Sequence, residues 1–137
     1  MENRVAIYRK ENFNAAHRLF NPSWTDAENE RVFGKCALAN YHGHNYELIV
    51  KITGVPDPAT GFVIDTKRIS ELVHQEIIER FDHRNLNEDT REFKTLNPTA
   101  ENIAIVIYGL LRPHFEAKLD LQIRLYETPR NFVDYPA

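Results

Sequence analysis

Residues 42–53 read HGHNYELIVKIT and decide the fold, because they alternate between two kinds of side chain. Successive side chains of a β-strand point to opposite faces, so a period of two predicts a strand with one buried face. That face carries His42, His44, Tyr46, Leu48, Val50 and Ile52. The opposite face is mostly polar, with Ile49 as an exception. The pattern therefore predicts a half-buried strand with two histidines on its buried side.

A preceding strand is predicted to run toward His17. The apolar residues that share the odd parity of His17 are Val5, Ile7 and Phe13, although the alternation is imperfect. Residues 18–41 then form a long connection, in which Thr25 and Glu28 match a capping box and Gly34 can close a short helix. Long connections in compact domains are often functional, so this segment is a candidate for part of a site.

Two helices are predicted in the second half of the chain. The first is capped by Asp65 or Thr66 and ends near Phe81, and its apolar stripe consists of Ile69, Leu72, Val73 and Ile77. The second begins after Thr99 and is ended or kinked by Pro113, and its stripe consists of Ile103, Val106, Ile107, Leu110 and Leu111. A polar connection separates the two helices.

Alternation over residues 119–125 predicts a third long strand, and residues 132–135 predict a short fourth one. The order strand, strand, helix, helix, strand, strand indicates an α+β fold, in which a four-stranded antiparallel sheet carries two helices packed on one face. The length fits a single domain over residues 1–137. Since the sheet has few strands, we expect oligomerisation to close its edges.

The composition excludes several classes of partner. With 17 basic and 20 acidic side chains, the formal net charge of −3 provides no broad positive field for nucleic acid. No stretch approaches the roughly 18 apolar residues of a membrane helix, and the first residues lack a signal-peptide core. The single cysteine, Cys36, fits a reducing compartment. We expect a cytoplasmic protein that binds neither nucleic acid nor membrane.

Three histidines are candidate ligands of a zinc ion. His42 and His44 stand two apart on one strand, so their imidazoles project from the same face. Antiparallel pairing across the long connection could bring His17 beside them. Three neutral imidazoles with an open fourth position are typical of catalytic zinc. The alternative is that these are ordinary packed or surface histidines, since a His-x-His pattern also arises by chance.

Candidates for proton transfer lie on either side of this group in the sequence. Cys36 follows Lys35, and both this lysine and a nearby metal would favour the thiolate. Its alternative role is that of a small buried hydrophobic residue. Asp82 precedes His83 at a helix end, where a carboxylate can hold an imidazole in one tautomer for a proton relay. An ordinary polar helix exit would explain this pair equally well.

Glu127 continues the parity of the strand over residues 119–125 and so points toward its buried face. An unpaired carboxylate there would be costly. A ligand edge with two adjacent N–H donors, such as that of a guanidine-like heterocycle, would suit this bidentate acceptor. Alternatively, Glu127 lies at the strand end and is already in solvent.

Several short motifs together resemble one enzyme family. They are Phe13-Asn14-Ala15-Ala16-His17-Arg18-Leu19, Phe33-Gly34-Lys35-Cys36, His42-Gly43-His44-Asn45-Tyr46, Phe81-Asp82-His83, Pro98-Thr99-Ala100-Glu101-Asn102 and Tyr126-Glu127-Thr128. In this order they resemble the 6-pyruvoyl-tetrahydropterin synthase family, which includes the 6-carboxytetrahydropterin synthases of queuosine biosynthesis. The combination covers the chain from about residue 7 to residue 135 and is far more specific than any single motif.

The resemblance implies the tunnelling fold, whose subunits form trimers around a barrel and commonly pair into hexamers, with sites between subunits. It implies that Zn²⁺ is bound by His17, His42 and His44. It implies catalytic roles for Cys36, Asp82 and His83. For the pterin ring it implies an anchor at Glu127, helped by Thr99 and the backbone near Ala100 and Thr128, with Glu101 as a weaker assignment.

The reaction implied by the resemblance is a zinc-dependent elimination of triphosphate from 7,8-dihydroneopterin triphosphate, with Cys36 as the base. The product is expected to be 6-pyruvoyl-tetrahydropterin, the tetrahydrobiopterin precursor. This agrees with the five residues between Cys36 and His42 and with the residues around Glu127. Residues 61–65 and 97–99 look more like the carboxy-forming branch, which releases acetaldehyde and triphosphate. A non-catalytic pterin-binding protein is a third reading, and Arg18 and Lys35 are candidates for holding the triphosphate.

Overall fold

Two long antiparallel strands form the centre of the sheet. The computed structural model describes residues 2–137, and within them five strands form one sheet. Their order across the sheet is β3 (Arg84–Asn85), β1 (Val5–His17), β2 (His42–Gly54), β4 (Asp120–Tyr126) and β5 (Phe132–Tyr135). β1 (Val5–His17) pairs with β2 (His42–Gly54) along its whole length, from Val5 opposite Gly54 to His17 opposite His42. The predicted pairing across the long connection is confirmed, and it places the histidines of both strands at one end of the sheet.

The other side of β2 is covered by the C-terminal strands. β4 (Asp120–Tyr126) pairs antiparallel with β2, and β5 (Phe132–Tyr135) pairs antiparallel with β4. Leu48, Val50 and Ile52 of β2 are fully buried, as their parity predicts. The α+β class and the two C-terminal strands are therefore confirmed.

Helices cover the buried face of the sheet. The first long helical segment consists of α2 (Thr66–Val73), a π-helical turn (His74–Ile78) and α3 (Glu79–Phe81), and it begins at the cap Asp65. The second is α5 (Ala100–Leu111), which begins after Thr99 as predicted and continues into a 3₁₀ turn that contains Pro113. No helix in residues 2–137 is long and apolar enough to cross a membrane.

The sheet is mixed and has a fifth strand, so the prediction of a four-stranded, wholly antiparallel sheet was wrong in this respect. β3 (Arg84–Asn85) runs parallel to β1 beside Ala15 and Ala16. This segment pairs with the free edge of β1. The main-chain N–H of His83, just before β3, donates to the carbonyl of Asn14 and holds the segment there. A strand of two residues has no alternation that the sequence could reveal.

The long connection after β1 contains α1 (Asp26–Phe33) and a 3₁₀ turn (Gly34–Ala37). Thr25 caps α1 by accepting the N–H of Glu28, so half of the predicted capping box forms. Gly34 ends the helix with a φ of 59°, a value that favours glycine. A further short helix, α4 (Leu86–Asp89), was not predicted and follows β3.

We predict that Ile107→Ala lowers the free energy of unfolding by about 2–5 kcal/mol, because the side chain is fully buried and its loss leaves a cavity. The matched control is Ile105→Ala on the same helix. The side chain of Ile105 is 45% exposed, so we expect a change below about 1 kcal/mol. Urea unfolding at one fixed protein concentration measures both values. Equal losses in the two variants would contradict the packing described for α5.

Candidate metal centre and substrate cavity

The three predicted histidines meet at one end of the sheet. His17 ends β1, and His42 and His44 begin β2 on the same face. One ring nitrogen from each residue lies within 4.8 Å of the others, which is close enough to bind a single ion. The ordinary alternation of a strand and the β1–β2 register thus assemble a three-imidazole group without any special loop.

The histidine group has ring nitrogens that are available to bind a ligand. Within residues 2–137, Nε2 of His17 and Nε2 of His44 are buried and have no hydrogen-bond partner. Buried polar atoms are nearly always paired, so two unpaired nitrogens in one histidine group fit a site that binds a ligand. Three imidazoles that leave a fourth position open fit Zn²⁺ in its catalytic form.

The protonation state of the group suits a metal cation. Burial lowers the pKa of His17 to about 4, and the neighbouring His42 and His44 lower it further, against a hydrogen bond to Pro98. Burial also lowers the pKa values of His42 and His44. Near neutral pH the imidazoles are therefore uncharged, as a metal ligand must be.

A cavity of about 300 Å³ lies close to this centre. Its lining consists of Leu19, Thr99, Ala100, Glu101, Glu127, Asn131, Phe132 and Val133. Four of the five residues expected to contact the substrate are among them. The fifth, Thr128, is not in the lining, and its hydroxyl accepts the main-chain N–H groups of Arg130 and Asn131, so it shapes the turn beside the cavity.

The apolar part of this lining was not predicted from the sequence. Leu19, Phe132 and Val133 belong to segments that lie more than 100 residues apart and meet only through the order of strands in the sheet. Of the other lining residues, Asn131 stood near Glu127 in the sequence but carried no pattern of its own. No local signal could have placed these residues at one cavity.

Glu127 links the cavity to the histidine group. Its Oε2 lies 3.9 Å from Nε2 of His17, and its side chain is only 23% exposed. Burial raises the pKa of Glu127, while His42 lowers it and Glu101 raises it further. This carboxylate is therefore half buried and lies between the cavity and the histidine group, and no lysine or arginine of residues 2–137 pairs with it.

Cys36 is held near the exit of β1. It lies half buried in the 3₁₀ turn, and its carbonyl accepts the N–H of Leu19 at 2.8 Å, two residues after His17. The side chain of Arg18 reinforces this contact through its Nε, which donates to the carbonyl of Ala37 at 2.8 Å. These bonds bring the thiol-bearing turn to the end of the sheet that carries the histidine group.

Asp82 and His83 contact each other, but they lie at the outer edge of β1. Oδ2 of Asp82 is 2.9 Å from Nδ1 of His83, and Oδ1 accepts the N–H of Asn14 at 2.8 Å. The Asn14 N–H, together with His83, lowers the pKa of Asp82. The His83 side chain is 82% exposed, and its backbone has a positive φ of 60°. The pair is thus ordered and directed outward from the chain rather than into the lining of its cavity.

Comparison with known proteins gives a consistent family. Residues 6–137 match the family described as 6-pyruvoyl tetrahydropterin synthase. A Drosophila melanogaster 6-pyruvoyl tetrahydrobiopterin synthase is 38% identical over 94% of this chain and 77% of its own. The structure of Caenorhabditis elegans 6-pyruvoyl tetrahydropterin synthase is 38% identical, with a TM-score of 0.91 over 98% of this chain and 96% of that one. A 6-carboxy-5,6,7,8-tetrahydropterin synthase of Haemophilus influenzae is 33% identical over 74% of this chain and 84% of its own.

We predict that the metal-free protein loses stability as the pH falls from about 6.5 toward 4. The pKa of His17 is about 4 in the folded chain and ordinarily 6.5, so in this window the unfolded chain binds a proton that the folded chain excludes. The expected loss is on the order of 3 kcal/mol. Urea unfolding at a series of pH values measures it, and His17→Asn should reduce the slope. Identical slopes in both proteins would contradict the assignment.

Proposed function

The chain belongs to the 6-pyruvoyl tetrahydropterin synthase family, and we propose that it is a zinc-dependent lyase that converts 7,8-dihydroneopterin triphosphate to 6-pyruvoyl-tetrahydropterin. The observation that carries the proposal is the 3.9 Å approach of the half-buried Glu127 carboxylate to the orphan Nε2 of His17. A molecule in the cavity can contact both groups at once, one through N–H donors and the other through a shared metal.

Glu127 suits recognition of the pterin ring. A carboxylate accepts two parallel N–H bonds, and the amino-pyrimidine edge of a pterin offers two adjacent donors. Burial makes the carboxylate favour a partner of this kind over water. Thr99, Ala100 and Glu101 lie at the start of α5 on the same cavity, where they can contact the ring or its substituents.

The histidine group suits the reacting side chain. Zinc bound there would act as a Lewis acid that polarises a substrate hydroxyl and stabilises negative charge on its oxygen. His17, His42 and His44 would hold the ion in their neutral forms, because burial lowers the pKa values of all three imidazoles. No redox cofactor is required, because oxidation of the side chain is balanced by reduction of the ring.

Two proton carriers complete the mechanism. We assign Cys36, as thiolate, to removal of the C–H proton next to the polarised hydroxyl. Asp82 fixes the Nδ1–H tautomer of His83, and this imidazole exchanges protons on the opposite side as triphosphate leaves and the ring tautomerises. Because His83 is 82% exposed in the single chain, we propose that a trimer or hexamer closes the site between subunits. The reaction would take place in the cytoplasm, where a lone cysteine stays reduced.

The carboxy-forming reaction is the second candidate. It is favoured by the resemblance of residues 61–65 and 97–99 to that branch. The extent of similarity favours the pyruvoyl product, because the Drosophila relative covers 94% of this chain and the Haemophilus relative covers 74%. The five-residue spacing between Cys36 and His42 points the same way.

We predict that the purified zinc-loaded protein releases triphosphate from 7,8-dihydroneopterin triphosphate and forms 6-pyruvoyl-tetrahydropterin without acetaldehyde. Phosphate analysis, chromatography of the pterins and an aldehyde assay measure the three products. Acetaldehyde in step with triphosphate would assign the carboxy-forming reaction instead. Tight pterin binding without turnover would identify a binding protein.

The matched variant in this assay is Cys36→Ala. Loss of a general base is expected to lower kcat by about 10²–10⁴-fold. Zinc content should stay the same, because imidazoles and not the thiol bind the ion. Full activity of Cys36→Ala would remove Cys36 from the mechanism.

We predict that Glu127→Gln raises KM by about 10- to 100-fold, because a neutral amide replaces a charged bidentate acceptor. Steady-state kinetics and equilibrium binding of a pterin without the triphosphate measure the effect. The charge-matched control is Glu116→Gln at the opposite end of the sheet, and its KM should equal that of the wild type. An unchanged KM in Glu127→Gln would place the pterin anchor elsewhere.

A further inference from the structure

One short segment connects the proposed metal centre to the cavity. Pro98 is buried, and its carbonyl lies 2.8 Å from Nδ1 of His17. The next residue, Thr99, lines the cavity and caps α5. Residues 97–99, which we call the Pro98 strap, therefore contact a candidate zinc ligand at one end and the substrate cavity at the other.

The shape of the Pro98 strap depends on Asn102. The carbonyl of Asn97 accepts two hydrogen bonds, from the N–H of Thr99 at 2.8 Å and from Nδ2 of Asn102 at 2.9 Å. The first of these closes a three-residue γ-turn, in which proline at the centre has a suitable φ. The second comes from the first turn of α5 and anchors the turn to a rigid helix. The main-chain N–H of Asn102 also donates to Oγ1 of Thr99.

The direction of the Pro98 carbonyl decides which nitrogen of His17 carries the proton. A carbonyl only accepts hydrogen bonds, so at 2.8 Å it requires a proton on Nδ1 and leaves the lone pair of Nε2 for a metal. A competitor lies close by, since the buried hydroxyl of Tyr46 is 3.3 Å from the same Nδ1. If the carbonyl moved away, this hydroxyl could donate to Nδ1, and the proton would then occupy Nε2.

We propose that Asn102 is a positioning residue for the metal centre, because its side-chain amide holds the Pro98 strap so that the Pro98 carbonyl keeps His17 in the metal-binding tautomer. The inference rests on the proposed function, in which His17 binds zinc. It adds a residue that touches neither the ion nor the substrate. It also explains how residues at the N-terminus of α5 can both line the cavity and position a proposed metal ligand.

The test is Asn102→Asp, which keeps the shape of the side chain but replaces the donor facing Asn97 with an acceptor. An acidic residue in the first turn of a helix is favourable, so the variant is expected to fold. We expect its affinity for Zn²⁺ to fall by about 10- to 100-fold, as measured by competition with a chromophoric chelator. The matched control is Asn29→Asp, because Asn29 also clamps carbonyl groups, those of Asn21 and Thr25, and its loss should leave zinc affinity unchanged.

A second measurement reports the tautomer of His17 directly, first in the wild type and then in Asn102→Asp. In the metal-free wild type, ¹⁵N NMR of the imidazoles should show His17 protonated on Nδ1, and Asn102→Asp should shift the population toward Nε2. A wild-type His17 protonated on Nε2, or zinc affinity in Asn102→Asp equal to that of the wild type, would overturn the inference. His42→Ala tests the proposed metal site separately from the positioning role of Asn102. Retention of zinc by this variant would refute the metal site itself.

Discussion

The register between β1 and β2 is the constraint on which the rest of the molecule depends. It sets His17 opposite His42, and strand alternation adds His44 to the same face. A slip of one residue would move every side chain of a strand to the other face, so it would expose the apolar core and scatter the histidines in one step. The burial of Leu48, Val50 and Ile52 therefore protects the geometry of the proposed metal centre as well as the stability of the fold.

The same sheet face changes its chemistry along its length. Its centre is filled by aliphatic side chains, whereas its end carries three imidazoles and a half-buried carboxylate. Within residues 2–137, the Nε2 atoms of His17 and His44 are buried there without a hydrogen-bond partner. Such groups reduce stability unless a ligand satisfies them. The cation and the donor-rich molecule proposed above would satisfy these groups, and the apolar centre supplies the free energy that holds them in place without a ligand.

Sequence reasoning located what is local or periodic, together with the antiparallel pairing of β1 with β2, and missed the other contacts between distant segments. The parity of His42 and His44, the cap at Thr99 and the helix end at Gly34 each follow from spacing within a few residues, and the structure has them. The contact between His17 and Pro98 joins residues 81 positions apart, and β3 exists only because β1 has a free edge. No periodicity encodes such contacts. The outward direction of the Asp82–His83 pair was hidden for the same reason.

The candidate residues are held with very different rigidity, and this separates their roles. The histidines stand on paired strands whose hydrogen-bond ladder fixes them, and Thr99 caps a helix, so the metal and ring recognition proposed for them would need little reorganisation. Cys36 lies in a connection of more than twenty residues that only a few main-chain and side-chain bonds tie to the exit of β1. The position of the proposed base therefore depends on these few bonds, whereas the proposed metal ligands are positioned by the sheet itself. The difference in how strand and loop are held thus matches the roles proposed for these residues.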